Sequence, residues 1–211
     1  MAIASNLKPD LTLRMEQCGR QIVGSTLRLT GLVRLKNVVR IIQALDLQAN
    51  PRDSKVGQIT SDIIDSLDKT PEIFALKSKG LLMAASQFNE LDRDRYELSF
   101  VDRLVEGVLD GGHNLLAIGH FVMERALDEE AALKELRKAK VWSEFKEIFN
   151  TYLDEVEEYL GDQANVDELK TLIPVELILP KSDDPVDMDD YSSALLEIQE
   201  ARNNNAQLKQ E

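Results

Sequence analysis

Cysteine is nearly absent from these 211 residues: Cys18 stands alone, so no internal disulfide can form, and a lone thiol without a local signature reads as an inert, packed residue. Histidine is almost as scarce. His113 and His120 are the only two, and with one cysteine they cannot supply the convergent ligand set that a structural zinc site needs. Aromatics make up 5% of the chain, with Trp142 the single tryptophan. No apolar run reaches the roughly 18 residues that a membrane-spanning helix requires, and residues 1–10 lack the apolar core of a secretory signal. A cytoplasmic chain with no membrane partner is expected.

Positive charge is also in short supply, with 25 Lys+Arg against 38 Asp+Glu and a formal net charge of -13. Spread evenly, that charge would repel a polyanion, because nucleic-acid affinity rests on neutralising phosphates. The deficit is uneven. Residues 1–55 carry nine Lys+Arg against four Asp+Glu, whereas residues 128–170 carry six against thirteen. Such an acidic stretch is ordinarily a solvated helical face, and the carboxylates near residues 144–158, Glu155, Glu157 and Glu158 among them, also offer a surface to a basic protein partner.

What is present in quantity is globular: 43% hydrophobic and 30% charged residues, enough for one main domain at roughly 150 residues per domain, plus an extension. Thr26 to Leu35 alternates with period two on either side of Gly31 and predicts a strand or hairpin. Val38 to Ile42, with Leu45 and Leu47, is either a strand or a short helix, and residues 49–52 form an extended turn because a residue before proline is pushed out of the α region. Ile59, Ile63, Ile64 and Leu67 fall at helical spacing before the Thr70-Pro71 break. Residues 81–86, 95–100 and 105–109 read as strands, and Leu115 to Ala126 as a helix.

From Trp142 to Leu160 the apolar residues sit three and four apart on one helical face, a packing face. Ile173 to Pro180 is a strand whose prolines suit an edge or a strand start. Residues 181–190 read as an acidic loop before a helix from Tyr191 to Arg202. The whole predicts an α/β (or α+β) fold: a strand and helix region at 1–48, an α/β domain at 49–180 with a helical insertion at about 128–170, and an acidic loop with a C-terminal helix at 181–211.

The candidate for chemistry is the loop Asp110-Gly111-Gly112-His113-Asn114 between a strand and a helix. A glycine turn opening a helix offers free backbone N–H groups and the positive end of the helix dipole, which together suit phosphate. His113 could donate a hydrogen bond or shuttle a proton, and Asp110 could hold the imidazole, a hydroxyl or a metal. A metal-dependent nuclease or hydrolase would rest on Asp110 and His113, with Glu106 the one further carboxylate nearby in sequence. The commoner role of such a loop is a structural turn with a satisfied histidine.

Several segments resemble the AIPR (abortive infection, phage resistance) family and, more distantly, ParB-type and DGQHR-type domains. Asn50-Pro51-Arg52 is similar to the turn that opens a ParB-like domain, Lys77 to Ala84 to the polar turn and glycine before a buried strand, and Glu106 to Ile118 to the glycine-rich strand–loop–helix box. Ile173 to Leu177 and Ala201 to Gln207 continue the match in the family's order. The resemblance implies a ParB/sulfiredoxin-like mixed sheet with flanking helices, and a role in antiviral defence. Family members run beyond the Asn-rich segment, so the chain is expected to match their N-terminal portion.

ParB-type domains grip a nucleoside triphosphate with a Gly-Glu-Arg-Arg box and the DGQHR type keeps a final arginine, whereas this stretch ends in His113-Asn114. Without the guanidinium fork, phosphate binding falls to other cations, for which Arg52, Lys77 and Lys79 are the candidates if the fold brings them to the loop. The expected ligand set is therefore Arg52, Lys77, Lys79, Gly111, Gly112, His113 and Asn114. The expected ligand is a nucleotide with Mg²⁺ or a nucleic acid such as DNA. Whether the chain is an enzyme, and whether it self-associates, stays open at this stage.

Overall fold

The computed structural model describes residues 9–50 and 54–204. Arg52, one of the expected ligand contacts, lies outside them. Along the chain run β1 (Leu11–Arg14), β2 (Glu16–Val23), β3 (Thr26–Arg34), α1 (Leu35–Ala44), α2 (Gln58–Lys69), α3 (Phe74–Lys77), β4 (Leu81–Ala84), β5 (Gln87–Leu91), β6 (Arg95–Ser99) and β7 (Gly107–Asp110). Then come α4 (Gly112–Ala126), α5 (Glu130–Leu136), α6 (Trp142–Thr151), α7 (Leu153–Gly161), α8 (Val166–Leu169), β8 (Leu172–Pro180) and α9 (Pro185–Asn204). The fold is mixed α/β, and among the described residues no helix is long and apolar enough to cross a membrane.

The strands form two sheets. One is three-stranded and antiparallel, in the order β1-β6-β5; the other is five-stranded, in the order β2-β3-β8-β4-β7, antiparallel except where β4 runs parallel to β8. Residues 81–84 and 95–99 are thus strands as expected, but of different sheets. One face of the larger sheet is covered by α1, α2 and α4 with the helices that follow, around a core that includes Leu29, Val33, Met83, Val108, Leu115, Ile118 and Leu177. The other face carries a smaller core of Leu82, Ala84, Leu109 and Ile178 beneath Tyr191 and Leu195 of α9. Cover on both faces explains why every residue of β4 is buried.

Three expectations are corrected. The strand of residues 172–180 lies at the centre of the sheet, not at an edge. The Ile178 carbonyl faces β4, where it accepts from the Ala85 amide at 3.2 Å, so residues of the same parity, Pro174 and Pro180 included, turn their missing N–H toward β4. That strand pairs only with residues 175–178, so both prolines fall past its ends and no ladder bond is lost.

Residues 142–160 form two helices, not one, because Tyr152 (φ -108°, ψ 32°) leaves the helical region. The turn lets α6 bury Trp142, Phe145 and Phe149 while α7 buries Val156 and Tyr159, each against α4. The acidic stretch 181–190 is helical from Pro185 onward. Proline suits a first helical position, the Asp184 carboxylate accepts the Val186 amide at 2.9 Å, and Asp187 in the first turn favours the dipole. Residues 38–42 resolve to helix, within α1.

The end of α1 is held by cations from elsewhere. Lys146 of α6 donates to the Leu45 carbonyl at 3.0 Å and to that of Ile42, and Arg103 donates to the Ala44 carbonyl at 3.1 Å. These contacts satisfy orphan C=O groups and place positive charge at the negative helix end. Burial in that position pushes the Lys146 ammonium below its ordinary range.

Inside α4, His120 is buried, stacks on Phe145 at 5.0 Å between ring centroids, and has no partner for Nε2 among the described residues. Burial, helped by the charge of Lys140, brings its pKa down from 6.5 to about 4. The unfolded chain therefore binds this proton first, and the folded state loses stability as pH falls through the window from 6.5 to about 4. The loss is on the order of 3 kcal/mol. A His120→Leu variant is expected to remove that part of the acid destabilisation. Urea melts of both proteins from pH 7 to pH 4 test it, and parallel pH profiles would refute the assignment.

Candidate functional site

β7 leads through Gly111 into α4, the strand–turn–helix placement that the sequence predicts. Gly111 takes a left-handed conformation (φ 93°), and a Cβ there would stand 2.3 Å from the Gly80 carbonyl oxygen. Gly80 is as constrained: φ is 72°, and its Cβ would meet the Pro174 oxygen at 1.9 Å. Only glycine supplies both the backbone angle and the room at these two positions. The residue-77-to-80 turn is thereby brought onto the start of α4.

Asn114 fastens that approach. Its Nδ2 donates to the Gly80 carbonyl at 2.8 Å, its Oδ1 accepts from Ser78 Oγ at 3.1 Å, and Ser78 Oγ in turn accepts the Gly80 amide at 3.0 Å. Asn114 is thus engaged with protein at both ends of its amide. Asp110 is also committed, its carboxylate accepting the Gly111 amide at 2.8 Å.

The helix start is otherwise open. The first intrahelical bond runs from the Leu115 amide to the Gly111 carbonyl at 3.0 Å. The amides of Gly112, His113 and Asn114 meet no acceptor among the described residues, and the first-turn amides of a helix point outward along its axis. All three residues line a cleft of about 330 Å³. Lys77, Lys79 and Arg202 supply its cations, Asp110 and Glu176 its carboxylates, and Asn50, Ile59 and Ile63 part of its wall.

The structure therefore brings Lys77, Lys79, Asp110, Gly111, Gly112, His113 and Asn114 to one place. Lys77 donates to Thr70 Oγ1 at 2.8 Å, while Lys79 and the His113 ring have no hydrogen-bond partner among the described residues. Glu176 is held by Arg28 at 2.7 and 3.1 Å and approached by Arg202 at 3.7 Å, so its charge is largely compensated. Among the described residues no three His, Cys, Asp or Glu side chains gather as a metal cluster would. Glu106, the second carboxylate of the hydrolase reading, is buried and accepts the Val101 amide at 2.9 Å.

Asn50, Glu176 and Arg202 belong to the cleft but were not expected there. They come from three distant parts of the chain, and only the position of β8 beside β4 and the reach of α9 across the sheet bring the last two in. A pattern confined to residues 106–118 carries no trace of them.

Gly111→Ala is expected to lower stability by about 3 kcal/mol through its clash and its backbone angle, and Asn114→Ala by about 1 to 2 kcal/mol through lost hydrogen bonds. Thermal melts of each check this. A Gly111→Ala protein that melts with the parent would show that the two backbones do not meet as described.

Comparison with family models, curated proteins and solved structures found no match to the chain.

Proposed function

We propose that the cleft at the start of α4 binds the phosphate of a nucleotide or nucleic-acid-derived ligand. One observation carries the reading: three consecutive acceptor-free amides, Gly112 to Asn114, at the positive end of a 15-residue helix, in a cleft with Lys77, Lys79 and Arg202. Backbone N–H groups and the dipole favour an anion, and the lysines add charge-assisted hydrogen bonds. His113 contributes a polar contact from the same turn. Mg²⁺, if it accompanies a triphosphate, would meet the Asp110 side of the cleft. The resemblance to AIPR proteins and ParB-like domains gives this site its biological setting, a defence-associated module. It also extends the α/β class to a ParB-like fold.

Titration with CTP, ATP and a short oligonucleotide, with and without Mg²⁺, tests the reading. Saturable binding is expected, weakened about tenfold or more in a Lys77→Gln/Lys79→Gln variant and less in His113→Ala. No binding of any of these ligands in either condition would end it.

A second reading has its own support. A groove of about 470 Å³ between the end of α4 and α7 is lined by Asp128, Glu129, Glu155, Glu158 and Asp162, and Arg125, its one cation among the described residues, is already tied to Asp68 and Glu168. That surface suits a basic protein partner. Glu157 is turned away and accepts from Gln43. A partner recovered by pull-down should be lost on Glu155→Lys/Glu158→Lys and retained by His113→Ala. Loss through the His113 variant instead would assign the partner to the α4 cleft.

A further inference from the structure

The basic excess of residues 1–55 is only partly absorbed by ion pairs. Arg20 is tied to Glu90, Arg28 to Glu176 and Arg34 to Glu16. Arg14 is not. It ends β1 on the exposed face of the three-stranded sheet, and the register sets it directly opposite Arg95 of β6. Like charges facing each other across an antiparallel pair are destabilising, so stability alone would place a carboxylate at one of these positions.

A third guanidinium joins them. The turn between β5 and β6 puts Arg93 at φ 64°, a region that residues other than glycine seldom adopt, and Arg14, Asp92, Arg93 and Arg95 line a groove of about 310 Å³. None of the three arginines has a carboxylate partner among the described residues, in a chain where acids outnumber bases 38 to 25. Nε of Arg95 donates to the Asp92 carbonyl at 3.1 Å, not to a carboxylate, and Asp92 is the one acid that lines the groove among the described residues. Asp94 follows on the same turn, and its charge helps raise the Cys18 thiol. Glu97 accepts from Asn89 at 3.4 Å.

We propose that this groove is a second site, separate from the α4 cleft, which binds the phosphodiester backbone of a nucleic acid. Guanidinium forks match phosphate oxygens two at a time, and three of them, drawn from two strands and a turn, serve successive phosphates better than one. All four lining residues are exposed, so the groove is an open track and not an enclosure for a small molecule. Among the described residues no aromatic side chain lines it, so bases find nothing there to stack on, and recognition is of the backbone and indifferent to sequence.

The test is fluorescence anisotropy of a labelled single-stranded oligonucleotide across a salt series, using the full chain and an Arg14→Gln/Arg93→Gln/Arg95→Gln variant. The variant is expected to bind about tenfold or more weaker at low salt, with the slope of log K against log salt reduced by about 2, from roughly 0.7 per phosphate contact. ATP binding, which the α4 cleft supplies, should be unchanged in it. The single variant Arg14→Gln, which leaves β6 and the turn untouched, should reduce the slope by about 0.7. Equal affinity and slope in parent and triple variant would overturn the proposal, as would absence of oligonucleotide binding by the parent. So would displacement of the strand by inorganic phosphate or a mononucleotide at equal phosphate concentration, which would make the groove a free-phosphate site.

Discussion

Two stretches of backbone meet at Gly80 and Gly111 with no room for a side chain between them, and the candidate site follows from that contact. Because a Cβ on Gly111 would lie 2.3 Å from the Gly80 carbonyl, the turn that carries Lys77 and Lys79 is held against the first turn of α4. Asn114 closes the arrangement through Ser78 and the Gly80 carbonyl. Lysines that would otherwise be surface cations on a loop are thereby set beside helical amides that no described residue accepts. The fold contributes a backbone geometry, and the sequence contributes two residues that can tolerate it.

A net charge of -13 sets the long-range field, yet it does not decide what happens inside a groove. At physiological salt, exposed charges more than about 8 Å away are largely screened. An anion that has reached the α4 cleft feels Lys77, Lys79, Arg202 and the helix dipole before it feels the carboxylates of α7. Distant acids act instead on encounter, by slowing the approach of a polyanion. The uneven charge along the sequence is therefore informative, and the total is not. What the chain alone cannot convey is which of the early arginines are compensated: Arg20, Arg28 and Arg34 have carboxylates beside them, and Arg14 faces another arginine.

Local pattern carried well where the determinant was local. The alternation around Gly31, the helical spacing from Ile59 to Leu67 and the glycine turn after residue 109 all correspond to β3, α2 and the β7–α4 junction. It failed where the determinant lay elsewhere. The prolines of β8 argue for an edge only when the neighbouring strand is long enough to miss their N–H groups, and β4 is four residues long. The break at Tyr152 is invisible because apolar spacing continues across it, while each of the two helices packs on α4 separately. Arg202 and Glu176 reach the cleft through topology, which no motif spacing encodes.

The surroundings of α4 bear on how such a site would discriminate. From Leu115 to Met123 every residue is buried, so the helix is wedged among α1, α2, α6 and α7 and its first turn cannot retreat. Amides fixed in this way need no reorganisation to receive an anion, and preorganised donors lose little on binding. They are also indifferent to which phosphate arrives. Selectivity has to come from the parts that can move, namely the exposed Lys77 and Lys79, the half-buried His113 and Arg202 from α9. On the proposed reading, the rigid backbone would hold any phosphate and the side chains at its rim would judge what is attached to it.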